Sequence, residues 1–232
     1  MSRRLTVPPL VPAALAAVLL LAGCSADPLN IIILNARAPT DKCDFSDSTL
    51  YTERGTLDLR PWVDAAGNAG FSDYYFQQFS WENQLQPAPI TVNGQVVDPG
   101  GGNDFIADTI VYQYQYTDPA VVLANETQNI RAVISAGGSE KDNRMNADLI
   151  QPKAAAALNA SLTATGQTLL VTFQVFGKLA GGSPKYTNKV SFPLTVYRSS
   201  AAPLVCPTGT KLYEGQCGVP GRDATVQCVP ST

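Results

Sequence analysis

A chain of 232 residues that is 45% hydrophobic and only 15% charged can bury a sizeable core. Its net charge of −3, with 16 basic and 19 acidic residues and no basic run, excludes a nucleic-acid partner, which rewards clustered Lys and Arg. It contains no His, so Ser-His-Asp and Cys-His catalysis are excluded as well.

The chain opens with Arg3 and Arg4, then an apolar run over residues 10–21, closed by Leu21-Ala22-Gly23-Cys24. These are the parts of an export signal, and the run is shorter than the ~20 residues a membrane span needs. Leu-Ala-Gly-Cys resembles the lipobox of bacterial lipoprotein precursors, in which the Cys becomes the acylated first residue of the mature chain. The resemblance implies that residues 1–23 are a signal peptide and Cys24 the lipidation site. It also implies that acyl chains such as palmitate hold the protein at the membrane, at about 0.8 kcal/mol per buried CH₂. A plain signal peptide that happens to hold a Cys is the alternative. Loss of Arg3 and Arg4 takes the net charge from −3 to −5. Ser25 rather than Asp after the Cys resembles an outer-membrane lipoprotein.

With Cys24 assigned to lipid, Cys43, Cys206, Cys217 and Cys228 remain. An even set in an oxidising envelope predicts two disulfides with three possible connectivities. Cys43–Cys206 with Cys217–Cys228 is preferred, because Cys43 precedes the first strong strand and Cys206 follows the last. Structural zinc is disfavoured: there is no His, and the late Cys lack the short spacing of zinc knuckles.

Residues 24–42 predict a tether with at most one short strand at Leu29-Asn30-Ile31-Ile32-Ile33-Leu34. An extended pattern over residues 52–59 stops before Pro61. The aromatic-rich residues 71–85 predict a long strand. Asn93-Gly94 between Ile90 and Val97 predicts a hairpin, since both residues suit the positive φ angles of a type I′ turn. Residues 108–116 alternate, with Ile110, Tyr112, Tyr114 and Tyr116 on one face and Gln113 and Gln115 on the other. Residues 130–135 form a short strand, and residues 152–162, opened by Pro152 and rich in Ala, the one helix. Residues 168–178 and 189–197 alternate and flank a Gly-rich link. Leu170, Thr172, Gln174 and Phe176 lie opposite Leu169, Val171, Phe173 and Val175, and Pro193 belongs at an edge or bulge.

The expected architecture is an all-β, immunoglobulin-like antiparallel β-sandwich over residues 43–200 with one short helix. A disulfide-stapled, Cys-rich segment over residues 201–232 follows. The lipobox, the early Cys43 before Arg54-Gly55-Thr56-Leu57-Asp58-Leu59, and Asn83-Gln84-Leu85 are all found together. So are Phe173-Gln174-Val175-Phe176-Gly177 and Gly215-Gln216-Cys217-Gly218. The combination resembles uncharacterised lipoproteins of myxobacteria and their relatives; that resemblance implies no activity and no functional residues.

Sites of chemistry are few. No Ser-x-x-Lys motif of the penicillin-binding kind and no Gly-x-Ser-x-Gly elbow occur. Asp98, Asn103, Asp104 and Asp108 surround a Gly-rich stretch similar to one calcium-binding nonapeptide unit, but such units work in stacks and only one is present. An ordinary loop is the favoured reading, with no metal and no cofactor. Trp81 and the Tyr112, Tyr114, Tyr116 row could stack on sugar rings, but core or cross-strand packing is the favoured reading, since Gln113 and Gln115 on the opposite face suit a solvated surface. The expectation is a lipid-anchored protein of the cell envelope, at the outer membrane, acting as a non-enzymatic structural or interaction module on another envelope protein. An adhesion or glycan-binding module is the alternative.

Overall fold

A computed structural model describes residues 29–40, 45, 50–140, 142–161, 166–213 and 219–231. Two main sheets lie face to face. One contains β1 (Ile31–Arg37), β5 (Phe76–Asn83) and β10 (Arg144–Asp148) in the order β1-β5-β10. The other contains β2 (Gly55–Asp58), β8 (Phe105–Tyr116), β9 (Glu126–Ile134), β11 (Gln167–Leu179) and β13 (Val190–Tyr197), ordered β2-β13-β11-β8-β9. Neighbours are antiparallel except β2, which runs parallel to β13. The short β12 (Pro184–Tyr186) adds to the end of β11.

The period-two patterns decide which side faces in. Along β8, Ile110, Tyr112 and Tyr114 are buried while Gln113 and Gln115 are exposed. Along β11, Leu169, Val171, Phe173 and Val175 are buried. Across the sandwich Phe79 meets Phe173 edge-on, with ring centroids 4.9 Å apart, and also reaches Phe192. The Asn-Gly hairpin joins β6 (Ile90–Val92) to β7 (Gln95–Asp98), with φ +51° at Asn93 and +77° at Gly94, as the turn type requires. Helix α1 (Pro152–Ser161) buries Ala154, Ala155 and Leu158 against the core. Glu126 at the start of β9 accepts the Ala154 N–H at 2.8 Å, satisfying a free donor of its first turn. Among the described residues Pro193 sits where β13 has no second strand beside it, since β2 pairs only from Leu194 onward.

Two expectations are corrected. The tether over residues 24–42 gives up Ile31–Arg37 to the sandwich, which therefore starts before residue 43. Ile31 and Ile33 are essentially fully buried, and hiding such side chains contributes roughly 1.5–3 kcal/mol each, enough to draw the segment onto β5. The preferred disulfide pairing also fails: Cys206 bonds to Cys228, with Cα atoms 5.6 Å apart, and so excludes both Cys43–Cys206 and Cys217–Cys228. Local pairing is the cause. β15 (Thr210–Leu212) runs antiparallel to β16 (Cys228–Pro230), while the Cys206 N–H bonds to Val63 O beside them. Cys24, Cys43 and Cys217 lie outside the described residues.

The C-terminal segment packs into the domain rather than hanging from it. β14 (Leu204–Val205) pairs with β3 (Trp62–Val63), which pairs in turn with β4 (Ala69–Gly70). Val219, Arg222 and Val226 are buried. Among the described residues no helix is long and apolar enough to cross a membrane.

One carboxylate in the β5–β10 region makes stability depend on pH. Asp148 accepts the Tyr75 N–H at 2.9 Å. Burial pushes its pKa up to about 7, with the charge of Asp73 adding to the rise and backbone hydrogen bonds from Tyr75 and Ile150 opposing it. A carboxyl whose folded pKa exceeds its unfolded value of about 3.9 binds more protons when folded. Its stabilisation is complete at pH below ~4 and is lost as pH rises toward 7. Asp148→Asn, which keeps an oxygen for Tyr75, is expected to flatten the fall in Tm between pH 5 and pH 8 and to melt several degrees above wild type at pH 8. Parallel Tm-against-pH curves for the two proteins would refute this.

Candidate interaction surface

The outer face of the larger sheet combines exposed aromatic rings with a cleft. Alternation turns Val111, Gln113 and Gln115 of β8 outward beside Leu170, Thr172, Gln174 and Phe176 of β11. β12 places Tyr186 directly opposite Phe176, with ring centroids 6.1 Å apart, and both rings are open to solvent at 50% and 38% of their area. Beside them a shallow cleft of about 230 Å³ is lined by Val111, Gln113, Thr172, Gln174, Phe176 and Lys189.

Its polar groups are held in place. The Gln174 side-chain amide donates to Thr187 O at 2.7 Å, and the Thr172 and Ser191 hydroxyls share a hydrogen bond of 2.8 Å. Thr187 itself is fully buried and its hydroxyl accepts the Val175 N–H, so the crossover from β12 to β13 is pinned. Next to it, Asn188 turns its amide to the backbone of Ile33, accepting from N at 2.7 Å and donating to O at 3.0 Å. The loop carrying Lys189 is thereby tied to both sheets. The cleft offers amides, a hydroxyl, an aromatic ring and one ammonium group.

A second, more open cleft of about 450 Å³ lies between Trp62, Asp64 and Ala66 on one side and Lys211 and Leu212 on the other. Asp64 is occupied there in building its own turn. It accepts from the Ala66 and Asn68 N–H groups and from the Asn68 side chain, and these bonds, Asn68 foremost, hold its carboxyl below the usual range.

The residues of the alternative calcium reading serve the loop instead. Asp98 Oδ1 accepts the Gly100 and Gly101 N–H groups at 2.9 Å each, which lowers its pKa. Asp104 accepts from Ala136 N, Asn103 donates to Gln86 O, and Asp108 is exposed on β8. Each of the first three fixes loop backbone. Among the described residues no group of three or more His, Cys, Asp or Glu could hold a metal ion. The aromatic residues take the core reading rather than the sugar-stacking one. Trp81 is fully buried, Tyr112 and Tyr114 lie in the core, and only Tyr116 reaches the half-buried margin.

No protein-family model matches the chain, and neither a curated protein nor a solved structure is found to be similar to it. The surface must therefore be read from its own chemistry. Sequence reasoning set Phe176 in the row opposite Leu169, Val171, Phe173 and Val175, and the burial of those four is what leaves Phe176 facing out. It missed Tyr186, whose position depends on β12 folding back on β11.

Proposed function

We propose that this protein is a lipid-anchored component of the cell envelope that works as a non-enzymatic interaction module, docking another envelope protein on the outer face of its larger sheet. The anchor rests on the Leu21-Ala22-Gly23-Cys24 motif, with the outer membrane as its site. The single observation that carries the docking role is the exposed Phe176–Tyr186 pair beside a cleft whose lining contains no carboxylate. Interface centres are depleted of charge and enriched in aromatic residues, and those residues supply most hot spots. The strand order supports reading the sandwich as immunoglobulin-like, with its first strands divided between the two sheets and β2 running parallel beside the last strand.

The test is in-cell photocrosslinking from position 186 of the full-length chain, followed by mass spectrometry. A reproducible envelope protein is expected, with its yield cut at least tenfold by Phe176→Glu while the Tm stays within about 2 °C of wild type. Background proteins alone, or a partner indifferent to Phe176→Glu, would overturn the assignment. Polysaccharide captured at the same position would instead support the adhesion or glycan-binding reading.

A further inference from the structure

Leu29, the first described residue, stands at the end of β5, where the neighbouring Asn30 O accepts the Gln84 N–H at 2.8 Å. A chain advances at most ~3.6 Å per residue, so Cys24 lies within about 18 Å of Leu29 whatever path residues 24–28 take. The same end of the sandwich carries the β6–β7 hairpin. Its base is bound there by Gly102 N to Ala88 O and by the Asn103 side-chain amide to Gln86 O. Asn103 O accepts in turn from the Asn83 side chain, the last residue of β5.

The hairpin carries no charge to its tip. No charged residue occurs between Glu82 and Asp98, and the Asp98 carboxylate is turned back onto the Gly100 and Gly101 N–H groups. Residues 91–97 are all exposed, with Val92, Val96 and Val97 at 52%, 59% and 62%. Thr91 pairs with Val96 and Val92 with Gln95. Neighbouring pairs face opposite sides of a ribbon, so valine is exposed on both. Single exposed valines are ordinary, whereas a charge-free cluster of three marks a contact.

We infer that the tip of this hairpin, Val92 with Val96 and Val97, enters the lipid surface that holds the Cys24 acyl chains, giving the sandwich a second membrane contact and a fixed orientation. The inference rests on the lipid anchor proposed above and deepens it. Two observations select lipid over a protein partner. The short tether brings this end of the sandwich to the bilayer and leaves the opposite end away from it. A protein surface laid against a two-stranded ribbon covers one face, while a tip that enters lipid buries the Val92 side and the Val96 side together. The contact is shallow, at the boundary of headgroups and acyl chains, where water still reaches the hairpin's free backbone groups.

The test is photocrosslinking from position 96 of the full-length lipoprotein in vesicles of phosphatidylethanolamine and phosphatidylglycerol, with mass spectrometry reading both Cys24 and the adducts. Position 122 is the control: Val122 is 86% exposed, more than any valine of the hairpin, but follows β8 at the far end of its twelve residues. Diacylglycerol on Cys24 is expected, with lipid adducts from position 96 at least fivefold above those from position 122. Val92→Asp with Val97→Asp is expected to cut the adducts from position 96 at least fivefold, with Cys24 still acylated and the Tm within about 2 °C of wild type. An acylated, vesicle-bound chain whose two positions label lipid equally, or whose labelling ignores the two aspartates, would overturn the inference and leave the anchor standing. So would capture of a second copy of the chain from position 96 in place of lipid. A Cys24 without acyl chains would overturn the anchor and the inference with it.

Discussion

Asp58→Ala is expected to be among the most destabilising single substitutions in the chain, lowering Tm on the order of 10–15 °C. The Asp58 carboxylate is fully buried and accepts three backbone N–H groups from three parts of the chain. Oδ1 takes Arg60 at 3.1 Å and Ser199 at 3.0 Å, and Oδ2 takes Val226 at 3.0 Å. It therefore ties the end of β2 to the residues after β13 and to the C-terminal segment. Truncation leaves these donors without an acceptor, at roughly 1–3 kcal/mol for each that water cannot reach. About 3–6 kcal/mol in total then converts at ~2–4 °C per kcal/mol for a domain of this size. Asp58→Asn should fall between, since its amide nitrogen, a donor, would face the Val226 N–H that Oδ2 accepts. Thermal unfolding by circular dichroism is the measurement, and an Asp58→Ala protein melting within 2 °C of wild type would refute the role. Limited proteolysis should show residues 219–226 released first, because they lose the Asp58 bond to Val226 while the Arg222 guanidinium keeps its own contacts there. That guanidinium is buried and lies 5.0 Å from the Tyr75 ring, whose hydroxyl donates to Asp223.

That node also marks where sequence reading reaches its limit. Features within one turn or one strand were legible: Asn93-Gly94 specifies its hairpin by the φ angles it tolerates, and Pro152 with the Ala run specifies α1. The alternation in residues 108–116 separates buried Tyr112 and Tyr114 from exposed Gln113 and Gln115. What failed depends on partners far along the chain. Nothing near Asp58 announces that Ser199 and Val226 will bond to it, 141 and 168 residues away. The Ile31-Ile32-Ile33 run is too short to distinguish a tether from an edge strand, and only the register with β5 decides it. The same holds for Cys206, whose partner is fixed by β15 and β16 meeting, and for Trp81, whose side of β5 follows from which sheet packs over it. The candidate surface was half legible, Phe176 by alternation, Tyr186 only by the fold of the link.

Gly177→Ala is expected to cost about 3–5 kcal/mol, although the change adds a single methyl group to a residue next to the surface. A Cβ at Gly177 would stand 2.2 Å from Ile106 O and 2.9 Å from Ala107 Cα. Both are backbone atoms of β8, so no rotamer change can make room. They also belong to the central β8–β11 pair, at the step where its register shifts between Phe176 and Gly177. Relief requires the two strands to separate there, breaking ladder bonds on both sides and moving Phe105 and Leu179 out of the core they help close. Phe176→Ala provides the comparison. It removes far more side chain one residue away, but from an exposed position, and should cost under about 1 kcal/mol. Urea unfolding of the two variants should therefore rank them opposite to the size of the substitution, and a Gly177→Ala midpoint at or above that of Phe176→Ala would show that the approach of β8 to β11 is looser than the geometry describes. The same distortion would turn Phe176 away from Tyr186. Gly177→Ala should thus also reduce crosslinking from position 186 under conditions where most of the protein is still folded.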